Sequence, residues 1–282
     1  MGKKRILYVS QEISPYTKEN KRSNFCMNLP QVVQENDNDI RIFMPKFGTI
    51  NERRHQLHEV IRLSGMNLII DDFDHQLIIK VASVQQSRMQ VYFIDNEEYF
   101  PKRHYLNDPE GNFMQNNDER MMFFCKGVIE TVKKLGWAPD IIHCNGWFSA
   151  LVPMYIKKLY NKDPMFSNTK IYYTVFDNPF KGDLNNSLSE KLLFEDLQDK
   201  DVEMIGNPTF DNLNKFAISY SDAVVQGSKK LSKNLLNFIK NNNIPVLVKT
   251  DDDNFEEQCL SFYDSTEKAK KTKKNKQLVE VV

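Results

Sequence analysis

The sequence predicts an α/β fold built on a doubly wound, mostly parallel sheet. Short apolar runs of strand length alternate along most of the chain with segments whose apolar residues recur at helical spacing. This alternation is typical of a parallel sheet with helices on both faces. Residues 57–96 depart from it, because several β-rich runs there are separated by polar turns. That stretch predicts a β-hairpin insertion in the sheet.

The chain opens with the elements of a β-α-β unit. Residues 5–10 and 39–45 are apolar runs of strand length. The segment between them carries apolar residues at helical spacing, namely Phe25, Leu29, Val32 and Val33. Two successive strands joined through a helix are expected to lie parallel in one sheet.

Strand and helix patterns continue to alternate after the insertion. Residues 118–136 combine an acidic start, apolar residues at helical spacing and a closing glycine, which predicts a long helix. Further strands are predicted over residues 140–145, 170–176, 222–228 and 244–249, and further helices over residues 147–160, 211–221 and 229–240. We therefore expect one α/β domain over residues 1–249.

The C-terminal residues differ from this domain in pattern. After an acidic segment, the side chains of Phe255, Cys259 and Phe262 recur at helical spacing. They predict a short amphipathic helix within residues 250–264, which we expect to dock on the domain. Residues 265–282 carry six lysines, and we expect this tail to be disordered because it has too little apolar surface to bury.

Charge and cysteine content exclude several classes of protein. The 38 basic residues balance the 38 acidic ones, so the chain has no general attraction to nucleic acid or to an anionic membrane. The four cysteines are widely spaced, unlike a zinc site or a disulfide framework, and the pair His55 and His58 lacks a clear set of partner ligands. No apolar run is long enough for a membrane span or a signal peptide. We expect a cytoplasmic protein with no metal and no other cofactor.

A series of segments carries a more specific signal. In chain order they are ILYVSQEISPYTK, DIRIFMPKFGTINE, VYFIDNEEYF, NNDERMMFF, WAPDIIHCNGWFSALVPMYIKK, KIYYTVFDNPFKG and SYSDAVVQGSK. In order and spacing this series resembles the N-terminal half of bacterial glycogen and starch synthases. The resemblance implies a Rossmann-like domain of a GT-B-type glycosyltransferase. It also implies a hexosyltransferase ancestry, with glucose moved from a nucleotide-glucose to an α-1,4-glucan.

The same resemblance bears on domain content. In that family two Rossmann-like domains face each other across a cleft, and the C-terminal one makes most contacts with the nucleotide-sugar. Only about 30 residues follow residue 249 here, whereas domains rarely have fewer than about 50. We expect the second domain to be absent from this polypeptide.

The first loop departs from the family signature Lys-x-Gly-Gly-Leu-Gly-Asp. Glycines at such positions let backbone N–H groups and a helix N-terminus approach a phosphate. Lys18 keeps the lysine, but the next positions of the signature are occupied by Asn20, Lys21, Arg22, Ser23 and Asn24. Two interpretations stay open: the cations Lys18, Lys21 and Arg22 form a new anion site, or the loop is simply polar and solvated.

The family's His-x-His-Asp-Trp motif is also altered. His143 and Trp147 are kept, whereas Asn145 stands at the second histidine and Gly146 at the aspartate. A lone histidine in this position is more often a satisfied structural residue than a catalytic one, and Trp147 is expected in the core.

Two further motifs lose a titratable group. The family's Asp-Asn-x-x-Arg begins here with Asn116 and keeps Arg120, and its Thr-x-His-Asn carries Phe176 at the histidine position. A phenyl ring neither donates nor accepts a proton. We therefore identify no confident catalytic residue. The substrate-binding candidates are Lys18, Arg120, His143 and Trp147, and the degenerate positions are Asn116, Asn145, Gly146 and Phe176.

The joint loss of glycines, a carboxylate and imidazoles predicts a chain that is not a competent transferase by itself. We expect it to act as a glucan-contacting or protein-interaction module, with an α-glucan, a nucleotide-sugar or a second protein chain at the open cleft as possible partners. An alternative is one half of a split nucleotide-sugar glycosyltransferase completed by a partner chain. A third is activity with another donor, which requires Lys18, Arg120 and His143 to converge on one pocket.

Overall fold

The structure is a computed structural model that describes residues 3–84, 87, 89–249 and 254–266. Its strands are β1 (Arg5–Ser10), β2 (Asp39–Pro45), β3 (His58–Glu59), β4 (Met66–Ile70), β5 (Phe73–Ser83), β6 (Gln90–Asp95), β7 (Ile141–Asn145), β8 (Lys170–Val175), β9 (Ala223–Gln226) and β10 (Val246–Val248). Its helices are α1 (Lys21–Glu35), α2 (Asn117–Lys134), α3 (Val152–Lys158), α4 (Leu188–Leu193), α5 (Asp199–Val202), α6 (Phe210–Ser219) and α7 (Lys233–Asn241). A further helix covers residues 255–266 and is called the C-terminal helix below.

The strands form one sheet in the order β10-β9-β8-β7-β1-β2-β6-β5-β3, with β4 paired to β5. Every pairing from β10 through to β6 is parallel. The pairings of β5 with β3, β4 and β6 are antiparallel. The predicted α/β sheet with a β-hairpin insertion is thus confirmed. Since the parallel strands end at one edge, the loops after β1, β7 and β8 form the region where open α/β sheets usually bind ligands.

The helix predicted over residues 147–160 is confirmed only for Val152–Lys158. A 3-10 turn, Trp147–Ser149, comes first, and the seven-residue helix α3 follows it. Pro153 lies in the first turn of α3, where its missing N–H costs nothing, but it could not sit inside a longer helix without breaking a hydrogen bond. The apolar spacing continues through the break, so periodicity alone does not reveal it.

The C-terminal helix packs on the sheet as predicted, except that the third residue at the centre of the contact is Tyr263 and not Phe262. Phe255 and Cys259 are buried as expected, but the third buried residue is Tyr263, while Phe262 is only partly buried. Residues 255, 259 and 263 are spaced four apart and therefore share one side of the helix. Residues 250–253 of the predicted segment and residues 267–282 of the lysine-rich tail lie outside the described residues.

The register of three neighbouring strands determines which side chains lie under the C-terminal helix. Tyr8 of β1 lies beside His143 of β7, and His143 lies beside Tyr172 of β8. Neighbouring residues in register point to the same face of a sheet. All three are fully buried or nearly so, which makes this row the floor on which the C-terminal helix rests.

Candidate functional site

The loop after β1 ends at a closed helix N-terminus. Asn20 is the N-cap of α1, and its Oδ1 accepts hydrogen bonds from the backbone N–H groups of Arg22 (2.8 Å) and Ser23 (3.1 Å). The Ser23 hydroxyl in turn accepts from the Asn20 backbone N–H at 2.9 Å, completing a capping box. The N–H groups that could hold a phosphate are therefore already bonded within the chain.

A buried carboxylate reinforces this closure. Glu12, only 7% exposed, accepts a hydrogen bond from Arg22 Nε at 2.5 Å and another from Asn20 Nδ2 at 2.9 Å. Arg22 is thus paired with an anion of the chain itself, while the side chains of Lys18 and Lys21 are exposed. The three cations of the loop are thus divided between one internal ion pair and two exposed side chains.

His143 lies in the middle of β7 with both ring nitrogens engaged. Nδ1 shares a hydrogen bond with the hydroxyl of Tyr263 in the C-terminal helix, and Nε2 with Thr174 Oγ1 at 2.5 Å. Complete burial lowers the pKa of His143 to about 3, because a charged imidazolium is unfavourable away from water. The ring is therefore neutral at physiological pH and has no free nitrogen for a sugar.

The residues after His143 are also held by the fold. Asn145 donates from Nδ2 to Ser10 Oγ at 3.2 Å, and its Oδ1 is buried without a partner among the described residues. Gly146 has φ +82° and ψ 167°, a region in which essentially only glycine is found. Trp147 is 1% exposed and packs against Phe180 with ring centroids 4.8 Å apart.

Phe176 fills the space at the end of β8. Its ring lies edge-on to Phe25 of α1 with centroids 5.9 Å apart, and Phe25 in turn contacts Phe255 of the C-terminal helix at 5.7 Å. We call these three residues the phenylalanine cluster. Lys249 Nζ lies 4.3 Å from the ring of Phe255 and covers one side of it. The C-terminal helix thus contributes Tyr263 to the surroundings of His143 and Phe255 to the phenylalanine cluster.

Asn116 and Arg120 lie at the start of α2. Asn116 is the N-cap residue but makes no side-chain capping bond. Arg120 is completely buried, donates to the Tyr99 carbonyl and to Asn117 Oδ1, both at 2.6 Å, and packs over the ring of Phe100. Burial lowers the pKa of its guanidinium, which nevertheless remains charged at neutral pH. Its described contacts are structural.

No contact among the described residues joins Lys18, Arg120 and His143 directly to one another. Lys18 is in the exposed first loop, His143 contacts the C-terminal helix, and Arg120 contacts residues that follow β6. No described group of three or more His, Cys, Asp or Glu side chains could hold a metal ion. None of the helices in the described part of the chain combines the length and apolarity that a bilayer crossing requires.

Three residues that shape this region were missed by sequence reasoning: Glu12, Asn20 and Tyr263. The pattern of Asn20 with Ser23 three residues later is a capping signal that was available in the sequence. The pairing of Glu12 with Arg22 depends on how the loop folds back and carries no periodic signal. Tyr263 follows Phe255 and Cys259 at a constant spacing of four residues. Applying that spacing to the whole helix would have predicted Tyr263, and not Phe262, as the third buried residue.

This geometry defines the N-terminal half of a GT-B-type glycosyltransferase fold. The chain covers 51% of the catalytic domain of starch synthase IV from Arabidopsis thaliana, solved with ADP and acarbose, over 88% of its own length, with a TM-score of 0.70 and 18% identity. That likeness concerns the fold.

Sequence comparison identifies the family. The family described as starch synthase catalytic domain matches residues 5–247, so the chain belongs to it. It is 38% identical over 194 residues to a glycogen synthase of Chlorobium limicola, covering 68% of this chain and 40% of that protein. It is 34% identical over 232 residues to a glycogen synthase of Chlorobaculum parvum, covering 82% and 47%. The chain thus spans less than half the length of these curated relatives.

Proposed function

We propose that this domain has kept the framework of a glycogen or starch synthase but does not itself transfer glucose, and that it serves as a module that contacts an α-glucan or a partner protein. The family activity from which it derives is transfer of glucose from a nucleotide-glucose to an α-1,4-glucan. The observation that carries the proposal is the closed N-terminus of α1, where Asn20 Oδ1 accepts from two backbone N–H groups and Asn20 Nδ2 donates to Glu12.

The electrostatics of this closure oppose donor binding. Two N–H donors are bonded to Asn20 Oδ1, so a phosphate would have to displace an internal hydrogen bond for each contact it makes. Glu12 adds a like charge beside the position of the phosphate. Both effects weaken the binding of a nucleotide-sugar, whereas neither weakens the binding of a neutral glucan.

The histidine site supports the same conclusion. General acid–base work needs a group whose pKa lies near the working pH and which can reach the substrate. His143 meets neither condition, because its pKa is about 3 and its nitrogens are bonded to Tyr263 and Thr174. Phe176, which stands at the histidine of the family motif Thr-x-His-Asn, can contribute packing only.

A glucan-contacting role is supported by the relatives. Those described above are glycogen synthases, and the Arabidopsis catalytic domain was solved with acarbose. A binding function can persist after donor chemistry is lost, because contact with a neutral polysaccharide requires neither a phosphate cradle nor a titratable group.

The test is incorporation of label into glycogen by the purified chain, with ADP-glucose and UDP-glucose in separate reactions. We expect no incorporation above a reaction without protein, and no difference between the unmodified chain and Lys18→Ala. Sedimentation with glycogen should in parallel retain the chain in the pellet. Incorporation that Lys18→Ala abolishes would contradict the proposal.

One further outcome distinguishes the split-enzyme alternative. If the purified chain is inactive but a protein captured with it from native cells restores incorporation, the domain is half of a two-chain transferase. Absence of both activity and glycogen sedimentation would leave protein contact as the module's role.

A further inference from the structure

A cavity lies between the start of the first loop and the connection after β2. It encloses about 420 Å³, within the range of small-molecule sites. Four segments form its wall: the start of the first loop with Ser14 and Tyr16, the connection after β2 with Arg54, His55 and Gln56, Met27 of α1, and the end of β5 with Ser83 and Val84. None of the altered family positions lines it.

Tyr16 presents an unused polar group to this cavity. Its side chain is 6% exposed, and its ring lies edge-on to Phe93 and to His55, each with centroids 5.0 Å apart. Its hydroxyl has no hydrogen-bond partner within the described residues, although such partners are the rule for a buried tyrosine. Burial raises the pKa of Tyr16 to about 12, so the hydroxyl remains a proton donor at physiological pH.

The cavity also carries an uncompensated positive charge. Arg54 has no ion pair in the described part of the chain, and the described lining contains no carboxylate. Burial and the charge of Arg54 lower the pKa of His55, which keeps that ring neutral at neutral pH. The site therefore offers one cation among groups that are neutral.

The segment carrying Arg54 and His55 is anchored. The His55 backbone N–H donates to the Asn51 carbonyl at 3.2 Å, and the Leu57 N–H to the Glu52 carbonyl at 3.0 Å. Glu52 is itself paired with Lys46 at 2.7 Å and with Lys80 at 2.9 Å. These contacts fix the backbone of the segment, from which the exposed side chains of Arg54 and Gln56 extend.

We propose that this cavity binds a small phosphorylated sugar, with the Arg54 guanidinium on the phosphate and the hydroxyl of Tyr16 and the amide of Gln56 on sugar hydroxyls. One cation matches one phosphate through a charge-assisted hydrogen bond. The remaining neutral donors and acceptors match a polyol, and the rings of Tyr16 and His55 supply apolar contact for the sugar face. The inference does not depend on the function proposed for the sheet edge.

Calorimetric titration of the full chain tests this with three probes: glucose 1-phosphate, glucose and inorganic phosphate. We expect glucose 1-phosphate to bind one equivalent, more tightly than either fragment. Arg54→Gln should weaken binding by about tenfold or more, and Tyr16→Phe, which removes only the hydroxyl, by about threefold to tenfold.

Arg53→Gln is the matched control, because Arg53 is an exposed neighbour that does not line the cavity, and it should bind like the unmodified chain. Near-ultraviolet circular dichroism verifies that each variant is folded. The proposal is overturned if glucose 1-phosphate does not bind, or if binding is unchanged in Arg54→Gln. It is also overturned if phosphate or glucose alone binds as tightly as the phosphorylated sugar.

Discussion

At the scale of single residues, Phe176 is held by close packing on two sides. Its ring contacts Phe25, and a Cβ atom added to Gly227 would lie 2.4 Å from it, so the backbone at Gly227 has approached the ring as closely as glycine permits. Close contact on two sides gives the side chain a stabilising role that an imidazole could not match.

Truncation of this ring should therefore be costly. We expect Phe176→Ala to lower the free energy of unfolding by roughly 3–5 kcal/mol, because the ring is buried and leaves a cavity behind. Phe194→Ala is the control, since Phe194 is 75% exposed, and it should change stability by no more than about 0.5 kcal/mol. Urea titration of both variants measures this, and equal midpoints would contradict the packing role.

His143 links the same region to pH. Its pKa is about 3 in the folded chain and near 6.5 when exposed, so the unfolded chain binds more protons between these values. Stability from this residue is fully present above pH 6.5 and is lost as the pH falls toward 3. We expect His143→Gln to reduce the slope of stability against pH by up to about 1.4 kcal/mol per unit within that window.

His58→Gln provides the comparison for this titration, because His58 is exposed. Urea midpoints should be collected from pH 4 to pH 7 for both variants. His58→Gln should keep the slope of the unmodified chain. If the two variants have the same slope, His143 is not held neutral by burial.

At the scale of elements, the predicted bounds agree best with the observed ones where an element is buried. The predicted bounds of β1 and β2 match the observed ones, because strands buried on both faces appear as uninterrupted apolar runs. The helix predicted over residues 147–160 is longer than the observed α3, because its apolar spacing continues through Pro153, whose effect is conformational. In the candidate site, burial of His143 and Trp147 could be anticipated, whereas the pairing of Glu12 with Arg22 required the folded loop.

The C-terminal helix offers a direct comparison of two adjacent rings. Tyr263 is fully buried and bonded to His143, whereas Phe262 is partly buried against Tyr172 with centroids 5.8 Å apart. We expect Tyr263→Ala to cost roughly 3–5 kcal/mol of stability and to speed amide hydrogen exchange across residues 255–266. Phe262→Ala should cost clearly less and leave that exchange slower than in Tyr263→Ala. The reverse order would mean that the helix docks through its other side.

At the scale of the whole molecule, the features that oppose donor binding are spread over elements distant in sequence. Asn20 and Glu12 belong to the first loop, Phe176 follows β8, and Phe255 and Tyr263 belong to the C-terminal helix. Because these contacts support one another, the loss of donor function that we propose is expected to depend on the packed domain and not on any single replacement.

Restoring the family imidazoles should therefore not restore transfer. We expect Asn145→His, Phe176→His and the double variant to incorporate no label from ADP-glucose or UDP-glucose into glycogen. In these variants the N–H groups at the start of α1 would still be bonded to Asn20. Glu12 would still repel a phosphate. The backbone at Gly146, with φ +82° and ψ 167°, would not accept the family aspartate without moving. The double variant should be compared with the unmodified chain by circular dichroism to verify that it is folded. If the folded double variant incorporates label, the absence of transfer is due to two side chains, which contradicts a cause spread over the whole fold.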